Sequence, residues 1–202
     1  MKDVNATVIV DLALSEEEIF KRIHKDARWG VKKALKSGLK VKESNDWNKF
    51  YEIYKITMKN GGGVVHPLEL VKKQSHKLFL CEYKRKTIAG ITIGFRDDKY
   101  DKNIPSLSKL ASLKEYQNLQ PNNLLVWNCI IWSKRNGYKK FGLGGWQIKA
   151  RGHLRGINKF KEKWGEIIYY HRNYPPHIAI GRKLVRNSKF FCFQSFIQMI
   201  IN

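Results

Sequence analysis

Gly156-Ile157-Asn158-Lys159-Phe160-Lys161-Glu162-Lys163-Trp164-Gly165 is a short basic segment closed by a glycine at each end. Lys159, Lys161 and Lys163 are interleaved with Phe160 and Trp164. Ile157 to Lys163 predicts a short helix between the glycines. The stretch before it, Gly144 to Gly156, reads as a glycine-rich basic loop carrying Trp146, Lys149, Arg151, His153 and Arg155. Cations set among aromatics suit the end of a nucleic acid, where phosphates meet the charges and a base stacks on a ring. A solvated basic loop pinned by core aromatics has the same composition. The segment must therefore be read with the rest of the chain.

The same bias runs through all 202 residues: 39 Lys+Arg against 17 Asp+Glu give a formal net charge of +22. So much self-repulsion usually answers a polyanion: RNA, DNA, an anionic membrane surface or a phosphate-rich small molecule. At 43% hydrophobic residues the chain is not of a disordered type. Cys81, Cys129 and Cys192 are odd in number and far apart, and the six histidines show no metal spacing. Neither a disulfide framework nor a zinc site is suggested, so no metal and no cofactor are expected, and a reducing cytoplasm fits. Aspartate interrupts the N-terminal run MKDVNATVIVDL, which rules against a secretory signal. No apolar stretch reaches the ~18 residues that span a bilayer.

The element pattern is mixed. Ala6 to Leu12 is rich in β-branched residues and predicts a strand. Ser15 and Glu18 form a capping box. The helix it opens should run to about Lys36, before Gly38. Its apolar stripe is Phe20, Ile23, Ala27, Val31, Ala34 and Leu35; its basic stripe is Lys21, Lys25, Arg28, Lys32 and Lys36. Leu39 to Glu43 predicts a strand, Asp46 caps a second helix, and Pro67 begins a short one. Lys77–Tyr83 and Thr87–Phe95 predict a hairpin. Arg96 to Gln120 is polar, with only a weak periodicity in SLSKLASL. Asn122 or Asn123 should cap a helix buried on nearly every side, ending at Gly137. Strands follow at Lys139–Leu143 and Glu166–His171. Phe190 to Ile201 lies in an apolar tail, from about residue 178 to 202, suited to packing on the sheet, a membrane or a second copy.

Familiar catalytic motifs are missing: there is no Gly-x-Ser-x-Gly elbow, no Cys-His pairing by motif and no Walker lysine. Lys139-x-x-Gly142-x-Gly144 imitates a coenzyme A pyrophosphate loop. It follows a helix and occupies a strand, whereas that loop must open a helix, so it reads as a decoy. His153 reads as a solvated loop residue.

Six pieces occur in order. They are Val10-Asp11-Leu12; Arg28-Trp29-Gly30-Val31-Lys32-Lys33-Ala34; Gly38-Leu39-Lys40-Val41; Asn123-Leu124-Leu125-Val126-Trp127; Gly137-Tyr138-Lys139-Lys140-Phe141-Gly142-Leu143-Gly144-Gly145; and the opening segment. The ordered set resembles the second GNAT-like (acetyltransferase-like) domain of the Fem family of aminoacyltransferases. It covers residues 6 to about 171, and the Phe160-Lys161 piece is the most specific.

The resemblance implies an α+β, GNAT-like acyltransferase domain over residues 1–202, with a mixed, mainly antiparallel sheet flanked by helices. It implies transfer of an aminoacyl group from aminoacyl-tRNA to an amine of a peptidoglycan or other cell-envelope precursor. In the family pattern Lys161 stabilises the oxyanion and Phe160 shapes the site. Lys149, Arg151, Arg155, Lys159 and Trp164 are then candidates for tRNA contact, and Arg28 and Lys32 for a phosphate-bearing acceptor. Two departures stand out. Family members commonly have two such domains, so a homodimer or separate partner would supply the missing wall. Gly142 stands where the family tends to have Asp. The expected location is cytoplasmic, at the inner face of the membrane, with peripheral contact to anionic lipid. An acyl-CoA-dependent N-acyltransferase and a non-catalytic RNA-binding module are the alternatives.

Overall fold

The computed structural model describes residues 3–96 and 104–172. The apolar tail and part of the polar stretch after Arg96 lie outside them. β1 (Asp3–Asp11) is followed by α1 (Glu16–Arg22), capped as expected: the Glu18 N–H donates to Ser15 Oγ, and the Ser15 N–H donates to the Glu18 carboxylate. The single helix expected to reach Lys36 is two helices. Ile23 and His24 are extended, and α2 (Lys25–Lys36) starts afresh with His24 Nδ1 accepting from the Asp26 N–H. Arg28 reaches back to donate to the carbonyls of Lys21 and Ile23. Carbonyls at a helix end lack intrahelical partners, and the guanidinium supplies one. The apolar spacing hid the break because Ile19 and Ile23 enter the same core as Ala27, Val31 and Ala34.

β2 (Lys40–Glu43), α3 (Trp47–Asn60), α4 (Leu68–Lys73), β3 (Lys77–Tyr83) and β4 (Lys86–Arg96) follow close to where the cap and turn signals put them, with Pro67 as the N-cap of α4 rather than its first residue. The stretch around SLSKLASL is β5 (Ile104–Ser112), a strand the sequence reading missed. It lies mid-sheet, between β4 and β6, so it lacks the alternation of a strand with one wet face. Two of its serines find backbone acceptors: Ser106 Oγ donates to the Ile104 carbonyl at 3.4 Å and Ser108 Oγ to the Gln74 carbonyl at 3.2 Å. A 3-10 turn (Lys114–Leu119) leads to α5 (Pro121–Arg135), which begins with Pro121 at its first position rather than under an Asn cap. β6 (Lys140–Trp146), α6 (His153–Glu162) and β7 (Glu166–Arg172) complete the fold.

One seven-stranded sheet has the order β2-β3-β4-β5-β6-β1-β7. Every neighbouring pair is antiparallel except β5–β6, which is parallel and in register at one position, Ser106 with Gly142. The sheet is thus α+β, mixed and mainly antiparallel, with helices on both faces. Alternation along β3 separates the two cores. Phe79 and Cys81 join the side formed with α1, α2 and α5, while Leu78 and Leu80 join Phe50, Ile53 and Tyr54 of α3 and Val71 of α4. α6 carries the chain from β6 over β1 to β7, and Trp164 at its end enters the first core beside Phe141 and Leu143.

Candidate functional site

The site is built where β6 parts from β5. Gly142 meets Ser106 so closely that an added Cβ would stand 2.3 Å from Ser106 Oγ. This explains the glycine at a position where the Fem pattern has Asp: Ser106 occupies the space an acidic side chain would need. Beyond it the β1–β6 register slips between Thr7 and Ile9. Gly144 absorbs the bulge with φ +74°, a conformation glycine adopts without steric cost. Its carbonyl accepts from Thr7 Oγ1 at 2.8 Å, within the protein. The next carbonyl, that of Gly145, accepts from Lys161 Nζ at 2.7 Å. A Cβ on Gly144 would lie 3.2 Å from the Leu107 carbonyl of β5 and 3.7 Å from Lys161 Nζ. The Lys161 ammonium is therefore held at the mouth of the split between the two parallel strands.

α6 is fastened so that Lys161 points there. Asn158 is 4% exposed. Its Oδ1 accepts from the Gln147 N–H at 3.0 Å, and its Nδ2 donates to the Gln147 carbonyl at 2.8 Å. One turn on, Trp146 Nε1 donates to Glu162 at 2.7 Å. At the far end the His24 N–H donates to the Lys163 carbonyl at 2.8 Å, and Lys163 pairs with Asp26 at 2.9 Å. The Lys163 hydrogen bond holds the Asp26 carboxyl below its ordinary pKa. Asn158 was not singled out from the sequence. A lone Asn in a basic helix gives no sign that it will be buried.

The other expected site residues divide. Phe160 is half-buried against the core, 6.2 Å from Trp164 and edge-on to it, so it forms part of the wall under α6. Lys149, Arg151, Arg155 and Lys159 are exposed along the loop and α6. Trp164 is corrected: at 1% exposed its ring has no face to offer a base, and it belongs to the core. Arg28 is also corrected, because its guanidinium is turned onto the carbonyls that end α1. Lys32 is exposed on α2. His153 is exposed at the start of α6. Burial pushes the Cys81 thiol up to about 12 and Cys129 well above its usual value, so neither is a ready thiolate nucleophile at neutral pH. Residues 140–146 lie in a strand, so the coenzyme-A-like spacing opens no helix. Among the described residues, no three His, Cys, Asp or Glu side chains converge as metal ligands would.

No family model matches this sequence, and no curated protein does. Solved structures do. FemX superposes with a TM-score of 0.69 at 15% identity, over 81% of this chain and 59% of that one. The C-terminal domain assigned to a lysylphosphatidylglycerol synthetase of Agrobacterium fabrum gives 0.61 at 12% identity, over 84% and 60%. The fold is GNAT-like. An aminoglycoside acetyltransferase from an uncultured soil sample shares it, with a TM-score of 0.50 at 14% identity over 68% of this chain and 95% of its own. This GNAT-like chain spans about three-fifths of the length of the first two structures. Chemically, its split strands present a hydrogen-bonded ammonium beside a glycine bulge. A charge so held can meet a developing oxyanion without reorganising.

Proposed function

We propose that the domain is an acyltransferase that moves an aminoacyl group from aminoacyl-tRNA to an amine of a peptidoglycan or other cell-envelope precursor. The observation that carries the reading is the Lys161 ammonium, seated on the Gly145 carbonyl at the parting of β5 and β6, in a fold shared with FemX and a lysylphosphatidylglycerol synthetase domain. The acceptor amine attacks the ester carbonyl. A C–N bond forms, and the carbonyl electrons move onto oxygen. Collapse of that oxyanion breaks the C–O bond to the tRNA ribose, and the proton lost by the amine ends on the released hydroxyl. An ester is already activated, so positioning and charge stabilisation are the main requirements. Lys161 donates to the oxyanion, a contribution of about 2–4 kcal/mol. Phe160 walls the site. Lys149, Arg151, Arg155 and Lys159 hold tRNA phosphates, and Lys32 is the candidate for a phosphate on the acceptor.

On this reading a homodimer or a separate partner completes the acceptor side. The reaction takes place in the cytoplasm, at the membrane face where envelope precursors are presented. No helix among the described residues is long and apolar enough to cross a membrane. The test is incubation with charged and uncharged tRNA, following retained tRNA and deacylation. Retention that weakens steeply with salt and deacylation that needs Lys161 are expected. A second reading, acyl-CoA-dependent N-acyl transfer, draws on the likeness to the aminoglycoside acetyltransferase. Activity with acyl-CoA that survives ribonuclease would replace the tRNA donor. Salt-sensitive RNA retention without product from any donor would leave a non-catalytic RNA-binding module.

A further inference from the structure

Trp29 is 56% exposed and Leu35 is 57% exposed, both on α2. At 3.6 residues per turn Lys25, Trp29, Lys32 and Lys36 fall on one stripe, opposite the buried Ala27, Gly30, Val31 and Ala34. Lys33 lies beside it, with Nζ 4.9 Å from the Trp29 ring centroid. Leu35 was expected in the buried stripe and borders the basic one instead. The helix has one acidic residue, Asp26, and Lys163 pairs with it at 2.9 Å. Among the described residues, none of Lys25, Lys32, Lys33 and Lys36 makes a close ion pair.

We propose that this face of α2 docks the protein on an anionic bilayer surface, with Trp29 and Leu35 entering the headgroup boundary and Lys25, Lys33 and Lys36 meeting lipid phosphates. Four observations favour lipid over other occupants. An exposed leucine gains little against nucleic acid but is stabilised where headgroups meet acyl chains. One face of the Trp29 ring already carries Lys33, whereas the indole edge is free to sit at an interface. The cations are flexible lysines suited to a diffuse anionic layer. The arginine of this helix, whose fork would suit discrete phosphates, has Nη1 engaged by the Lys21 and Ile23 carbonyls. A second copy docking through the same face would bring the lysines of two helices together and be repelled.

The surface does not depend on the transfer reaction, and its test needs no acyl donor. The full chain is co-sedimented with vesicles of phosphatidylcholine alone and with vesicles containing phosphatidylglycerol. Binding to the second and not the first is expected. Lys25→Gln and Lys36→Gln should each lower partition about fivefold. Trp29→Ala with Leu35→Ser should lower it about tenfold or more. Melting temperature and tRNA retention are read on every variant. Lys59→Gln and Lys73→Gln, each made singly at exposed lysines on α3 and α4, are the charge-matched controls and should lower partition much less. The proposal is overturned if the α2 variants sediment like the parent. It is also overturned if the controls lose as much, which would mean general charge attraction, or if the α2 variants lose tRNA and keep vesicles, which would make the face an RNA surface.

Discussion

α2 and α6 are both short, basic and amphipathic, and they meet where the His24 N–H bonds the Lys163 carbonyl. Most of their cations are exposed, and Lys161 of α6 is not. α2 lies flush on α5, and at Gly30 a Cβ would stand 2.4 Å from the Asn123 amide, so its lysines project outward. α6 is clamped by Asn158 and Glu162, and one of its lysines, Lys161, folds inward onto the Gly145 carbonyl beside the β6 bulge. Both helices carry a net positive charge, and the count does not say which lysine turns inward. What separates them is a backbone acceptor within reach, the Gly145 carbonyl on β6, the strand that precedes α6 in the chain.

The contrast can be broken most directly at Lys161. Lys161→Ala should cut the transfer rate about 10²–10³-fold with tRNA retention nearly kept, whereas Lys36→Ala on α2 should leave single-turnover transfer to a soluble amine within about twofold. Equal losses at both would remove the assigned role. Next in size is the strand that presents the carbonyl. Gly142→Asp should cost about 3 kcal/mol in denaturant unfolding, since the added Cβ meets Ser106 Oγ at 2.3 Å and the carboxylate has nowhere to ionise. Ser106→Gly in the same chain should recover part of that, and no recovery would mean the clash is not the cause. Asn158→Ala sharpens the picture of α6 as a clamped helix. It strands both Gln147 backbone groups, so unfolding should be easier by about 1–3 kcal/mol, with transfer slowed as Lys161 loses its aim. An unchanged stability would show that α6 is held by its aromatics instead.

The smallest effect lies at the junction of the two helices. Asp26 is held below its ordinary 3.8 first by the Lys163 hydrogen bond. A depressed carboxylate contributes stability above its unfolded pKa and loses it as pH falls through the folded value. The contact should therefore persist at neutral pH and loosen only below about pH 4. Titration of Asp26 by NMR should show its pKa rising toward normal in Lys163→Ala; an unmoved value would mean Lys163 does not engage it in solution.

Much of the fold was written in local signals. The Ser15–Glu18 capping box, the Asp46 cap and the β3–β4 hairpin are short-range features, set by backbone groups that need partners within a few residues. The order of weak motifs, ending in Phe160-Lys161, carried the resemblance to a GNAT-like domain. β5 was illegible because a central strand of serines and leucines shows no alternation, and the α1–α2 break because apolar spacing continues through it. The site was legible as a segment but not as a geometry. Trp164 and Lys161 stand three residues apart in the same basic helix end, yet one is core and the other is at the strand split. Composition can say that a cation and an aromatic are present. Which of them reaches the reacting space depends on the β6 bulge, the Asn158 clamp and the single paired position between β5 and β6. The bulge exists only once β1 and β6, more than a hundred positions apart, have come together.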